Sequence, residues 1–265
     1  MIYLDETYDQ LISKSYDYDK EMQNSCLSWG VVQRLYQNNY IGSVYSSTPL
    51  VAKIPKKIHQ IWLGEELPEE YKKYGETWKE YHPDWEYKLW TDVDVNDVDI
   101  PRRSLYDSIT NVAQKSDFLR YHILNQFGGL YVDTDFECIK PFDDLLYLDF
   151  FTGIGYPKKL ELYIGLIASV PKHPIINHLI NHLTTARYGG SWRKMFNTTG
   201  SYFFTKMFLK KVKADTRGVV AFPTDFFYPY PNNFVRKDPD VDPYSYIRLC
   251  SYAIHHWAVS WRKKK

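Results

Sequence analysis

Residues 116–137 read SDFLRYHILNQFGGLYVDTDFE, and the Gly128-Gly129 pair inside this stretch constrains the fold more than any other feature. Ser116 is placed to cap a helix over residues 116–126. The two glycines end that helix, because glycine adopts left-handed backbone at a helix terminus without steric cost. Residues 130–132 are apolar and read as a short strand whose carboxyl end delivers Asp133 and Asp135. A helix joined to a strand by two glycines folds back on itself. Asp117 and Arg120, three apart on one helical face, are thereby returned to the acid-bearing end of the strand.

The rest of the chain repeats this alternation. KIHQIWLG (residues 57–64) reads as a strand entering a loop, and LPEEYKKYGETWKEY as a helix broken at His82-Pro83, followed by a strand at EYKLWT. DFFTGIGY, LYIGLIASV and GVVAFP read as strands, HPIINHLINHLTTAR and SYFFTKMFLKKV as helices. Strands alternating with helices predict an α/β layered sheet, and ligands of such sheets collect at the carboxyl ends of strands. Residues 1–50 are polar and helical in pattern and are expected to form an N-terminal extension to a domain over 51–265.

Acidic and basic residues number 32 and 33, so no whole-chain field points to nucleic acid. Cys26, Cys138 and Cys250 are odd in number and lack C-x-x-C spacing, as expected of reduced core thiols in a cytoplasmic chain. The first residues lack the basic-then-apolar pattern of a secretory signal, and no run of 18 apolar residues occurs. The sequon at Asn197 is then coincidental, and the basic end WRKKK suits peripheral contact with an anionic membrane surface, although four basic residues at a chain end are more often a solvated tail. The 24 Tyr and 8 Trp suit flat, amphipathic ligands as well as an aromatic core.

Asp133 and Asp135 suit a hard divalent cation such as Mg²⁺ or Mn²⁺, which takes oxygen ligands and leaves positions for phosphate. Alone, a D-x-D pair is weak and is more often a solvated turn. Four segments in order, IPKKIHQIWLG, HPDWEYKLWTD, SDFLRYHILNQFGGLYVDTDFE and HHWAVSW, are more specific. Over residues 53–261 they resemble glycosyltransferase family 32, the D-x-D sugar transferases that include capsular polysaccharide enzymes and yeast α-mannosyltransferases. The resemblance implies a GT-A fold, a single nucleotide-sugar-binding α/β domain with a mixed central sheet and helical additions. It also implies metal-dependent, retaining transfer of a hexose from a UDP- or GDP-linked donor to a hydroxyl of a glycan or glycolipid acceptor.

Carried over by motif position, Asp135 is the direct Mn²⁺ or Mg²⁺ ligand, and Asp133 assists the metal while touching the donor's ribose or sugar. Asp117 and Arg120 hold donor-sugar hydroxyls, and Trp62 borders the nucleobase. His256 completes the metal site, although His255 is adjacent, and Ser260 and Trp261 reach the diphosphate. Thr199-Gly200-Ser201 departs from the Thr-Gly-Pro of many relatives. The aromatic run FPTDFFYPYPNNF (residues 222–234) is either an acceptor-stacking surface or core. Two other classes stay open on the D-x-D alone: a phosphohydrolase with an Asp nucleophile, although its usual Gly-Thr continuation is here Phe136-Glu137, and a non-catalytic carbohydrate-binding protein.

Overall fold

A computed structural model describes residues 11, 27–44, 49–156, 160–184, 192–232, 236 and 240–258. The strands are β1 (Lys57–Ile61), β2 (Glu86–Trp90), β3 (Gly129–Val132), β4 (Phe136–Cys138), β5 (Phe150–Tyr156), β6 (Glu161–Ser169), β7 (Val219–Phe222) and β8 (Ala253–His255). The α-helices longer than three residues among the described residues are α1 (Leu27–Tyr36), α2 (Glu69–Tyr81), α3 (Arg103–Asp107), α4 (Val112–Phe127), α5 (Pro174–His182), α6 (Trp192–Thr198), α7 (Ser201–Lys211) and α8 (Thr224–Phe227). Six strands form one mixed sheet in the order β2-β1-β3-β6-β5-β7. β1 runs parallel to both β2 and β3, β6 runs antiparallel to β3 and β5, and β7 is parallel to β5. β4 and β8 pair separately as a two-stranded antiparallel ribbon.

The central αβ return is built as the two glycines require. Gly128 and Gly129 have φ of 63° and 93°. A Cβ on Gly129 would stand 2.6 Å from the Lys57 carbonyl oxygen, and one on Gly128 would stand 2.6 Å from Pro171 Cδ. Side chains are therefore excluded by backbone angle and by space at both positions. The helix before them begins a turn earlier than the Ser116 cap predicts. Asn111 is the cap, its Oδ1 accepting the Gln114 N–H at 2.9 Å, and Ser116 faces Arg120 from within α4. Asn is as good a cap as Ser, and residues 112–115 hold no breaker.

α1 is not loosely attached. Trp29, Val32, Leu35 and Tyr36 are buried in the same apolar core as the sheet, and Tyr36 meets Phe222 of β7 and Phe226 of α8 edge-on. Asn39, just beyond α1, receives the Gly218 N–H and donates to the Thr216 and Val219 carbonyls, fastening the start of β7. Cys138 is a buried free thiol and Cys250 is buried, whereas Cys26 lies outside the described residues. Among the described residues, no helix is long and apolar enough to cross a membrane.

His59 in β1 locks the glycine turn to the sheet. Trp90 Nε1 can only donate, so His59 Nδ1 accepts from it at 3.2 Å, and Nε2 keeps its proton and donates to the Gly128 carbonyl at 2.9 Å. Burial lowers the His59 pKa from 6.5 to about 4. The unfolded chain therefore binds this proton more readily between those values, and stability contributed by the neutral ring is lost as pH falls from 6.5 towards 4. Chemical denaturation across that window should show a steeper loss for the native protein than for His59→Gln, the difference approaching about 3 kcal/mol. Parallel pH dependences in the two proteins would refute the assignment.

Candidate active site

The site begins where β3 ends. Asp133 donates its backbone N–H to the Gly165 carbonyl at 2.8 Å, and its own carbonyl accepts from Gln60 Nε2 at 3.2 Å. Its Oδ1 accepts from Arg120 Nη1 at 3.1 Å and from Tyr131 OH at 2.6 Å. Its Oδ2 has no hydrogen-bond partner among the described residues. A Cβ on residue 165 would approach that oxygen to 2.9 Å, so Gly165 keeps the space beside it clear.

Arg120 lies beneath, with its side chain 5% exposed. Nη1 donates to Asp133 and to the Ile164 carbonyl (2.8 Å), Nη2 to Asp117 Oδ1 (2.9 Å) and Ser116 Oγ (3.4 Å), and Nε to the Ser116 carbonyl (3.4 Å). A guanidinium has five N–H groups, and each has an acceptor here, the two bonds to Ser116 being the longest. Burial opposes its charge, but Tyr131, Asp133 and Asp117 outweigh burial and hold the guanidinium above its usual range. Asp117 is buried on the same helix face, and its Oδ2 accepts from Thr199 Oγ1 at 3.0 Å. Burial raises the Asp117 pKa from 3.8 to about 6, against the pull of Arg120 and Thr199.

Asp135 is fixed from the other end of the chain. In the β4–β8 ribbon Phe136 stands opposite His255, whose ring stacks on the Phe136 ring at 4.3 Å and 8°. The His256 N–H donates to the Asp135 carbonyl (3.0 Å), and the Ala258 N–H donates to Asp135 Oδ2 (2.9 Å). His255 Nε2 lies 3.0 Å from Asp135 Oδ1, while its Nδ1 is buried without a partner. Asp133, Asp135 and His255 each offer one atom, and these three lie within 4.8 Å of one another. Two carboxylates and one imidazole fit a divalent cation that accepts both oxygen and nitrogen, a description met better by Mn²⁺ than by Mg²⁺.

Asp117, Arg120, Asp133 and Asp135 thus come together as the sequence predicts, but His256 does not join them. Successive strand residues face opposite ways, so His255 turns to the acids and His256 turns away. His256 Nε2 lies 2.9 Å from Glu137 Oε2, and its ring stacks on Tyr74 at 4.4 Å. Glu137 also accepts from Tyr244 OH at 2.8 Å. Trp62, just past β1, packs its ring 5.4 Å from Tyr71 and buries Nε1 without a partner. Ser260 and Trp261 lie outside the described residues. The aromatic run resolves towards core, since residues 222–232 are buried and 233–235 are not described. Tyr131 and Glu137 lie inside the D-x-D segment and Thr199 inside the Thr-Gly-Ser departure, but sequence spacing alone assigns none of them to the site.

Residues 68–151 match the family model described as glycosyltransferase sugar-binding region containing DXD motif. Inositol phosphoceramide mannosyltransferase 1 of Schizosaccharomyces pombe is 31% identical over 196 residues, 69% of this chain and 60% of that protein. Mannosyl phosphorylinositol ceramide synthase CSH1 of Saccharomyces cerevisiae is 29% identical over 177 residues, 63% of this chain and 45% of that protein. This chain spans less than two thirds of the length of either relative. Among solved structures, PaToxG glycosyltransferase is similar with a TM-score of 0.51, at 19% identity, over 70% of this chain and 80% of that one. The fold is the GT-A α/β fold expected from the sequence.

The geometry separates the two histidines experimentally. In Mn²⁺ titrations followed by electron paramagnetic resonance, His255→Ala should weaken binding by at least about tenfold, and His256→Ala should weaken it less. The reverse order would place the imidazole ligand on the other face of the ribbon.

Proposed function

We propose, for a chain that belongs to the D-x-D glycosyltransferases of family 32, a metal-dependent transfer of a hexose from a UDP- or GDP-linked donor to a hydroxyl of a glycolipid or glycan, with retention of configuration. The observation that carries this reading is the Asp133–Asp135–His255 cluster backed by the buried Asp117–Arg120 pair. A divalent ion held there supplies electrostatic compensation for the negative charge that develops on a leaving diphosphate.

The chain's own residues do the rest. Arg120 and Tyr131 hold Asp133 by Oδ1 and leave Oδ2 facing the open side. Ala258 N–H holds Asp135 by Oδ2 and leaves Oδ1 towards His255. Asp117 presents an ionised carboxylate to sugar hydroxyls above a pH of about 6. The long bonds from Arg120 to Ser116 are the ones a sugar hydroxyl would displace first. In this reading Trp62 borders the base, and Ser260 and Trp261, which lie outside the described residues, contact the diphosphate. Same-face transfer is favoured over double displacement, because no carboxylate among the described residues is set apart as a nucleophile: Asp133 and Asp135 belong to the cation cluster and Asp117 to the Arg120–Thr199 pair.

The names of both relatives concern mannosyl transfer to inositol phosphoceramide, which supports a glycolipid acceptor over a polysaccharide. A mannosyl donor and peripheral membrane contact through residues 262–265 follow from the same reading. Thermal unfolding with GDP or UDP, each with and without Mn²⁺, tests it. At about 100 times the dissociation constant, one nucleotide should add roughly 2.7 kcal/mol, only with Mn²⁺ and not in Asp135→Ala. Stabilisation by neither nucleotide, or equal stabilisation in the mutant, would count against the transferase reading.

A further inference from the structure

Three residues on one face of α4, spaced three and four apart, close on a single turn between α6 and α7. Gln114 Nε2 donates to Thr198 Oγ1 at 3.2 Å, Tyr121 OH donates to the Thr199 carbonyl at 2.8 Å, and Thr199 Oγ1 donates to Asp117 Oδ2 at 3.0 Å. The Met195 carbonyl is the rival acceptor for the Thr199 hydroxyl, but at 3.5 Å it is the weaker one. Thr199 is fully buried and Asp117 is 5% exposed, so the bond between them is shielded from bulk solvent. Arg120 holds one oxygen of this carboxylate and Thr199 holds the other.

We propose that Thr199 is a positioning residue that fixes the Asp117 carboxylate in the orientation needed to bind the sugar of the donor. The inference rests on the reading of Asp117 as a contact for donor-sugar hydroxyls. A carboxylate gripped only at Oδ1 can turn about its terminal torsion. Gripped at both oxygens by donors from α4 and from the 198–199 turn, it keeps one plane, and its remaining lone pairs point in fixed directions. Preorganised acceptors of this kind discriminate between hydroxyl patterns, because each misplaced hydroxyl leaves a buried group unpaired. The turn thus governs the sugar moiety and leaves the nucleotide moiety to other residues. Gln114 and Tyr121 brace the turn itself.

The test compares the full chain with Thr199→Val, which keeps the shape and removes the donor, and with Thr199→Ser, which restores it. Equilibrium binding is measured with Mn²⁺ for GDP-mannose against GDP and for UDP-glucose against UDP. Thr199→Val should weaken the nucleotide-sugar by roughly 10- to 100-fold, as expected for one hydrogen bond to a charged group, and change the free nucleotide less than about twofold. Thr199→Ser should return the preference for the sugar form to within a few-fold of native, and donor KM should follow the same order while acceptor KM stays constant. An unchanged Thr199→Val, a Thr199→Ser as impaired as Thr199→Val, or an equal loss of nucleotide and nucleotide-sugar in Thr199→Val would overturn the proposal, the last marking a purely structural role. A native protein that binds neither nucleotide would instead remove the transferase reading and this inference with it.

Discussion

A guanidinium buried among carboxylates cannot be left partly bonded, and the architecture around Arg120 follows from that requirement. Burying the charge costs several kcal/mol unless paired acceptors surround it. The acceptors come from four places: Asp117 and Ser116 on its own helix, Asp133 at the end of β3, and the Ile164 carbonyl of β6. Those acceptors can meet only if α4 lies back along β3 at close range. That approach depends on the Gly128-Gly129 turn and on His59 holding it against β1. Helix, turn, central strands and acid pair are therefore one problem in electrostatics and sterics.

Much of this was legible in the sequence because it is local. The strands and helices of the sheet follow from apolar periodicity, and the αβ return follows from two adjacent glycines. The pairing of Asp117 and Arg120 with the acids follows from that return. α4 starts a turn before Ser116 because Asn111 and Ser116 are equally good caps, and only the N–H of Gln114 reveals which one is used. What the sequence concealed depends on contacts between distant residues. His255 and His256 are adjacent, and their separation between the acid pair and Glu137 is set by the register of β8 on β4, across more than a hundred residues. No spacing rule carries that register. Composition likewise could not divide aromatic rings between core and ligand surface, and in the 222–232 segment packing takes them.

The site's polar groups are also divided by purpose. Asp133 and Asp135 each have one oxygen fixed by the fold, Oδ1 by Arg120 and Tyr131 in the first case and Oδ2 by Ala258 in the second, while Asp135 Oδ1 faces His255 Nε2 at 3.0 Å. A carboxylate anchored by one oxygen has a defined direction for the other. Two such groups set at right distances act as a rigid bite without help from a ligand, which limits reorganisation when an ion arrives.

The β4–β8 ribbon stands apart from the six-stranded sheet and consists of two three-residue strands. Its shortness does not make it loose, because Phe136, Cys138 and Ala253 are buried in the same apolar core as the sheet. Opening it would withdraw His255 and the Ala258 N–H from Asp135 together. Heat or denaturant should then dismantle the grip on Asp135 only as the core that buries the ribbon gives way.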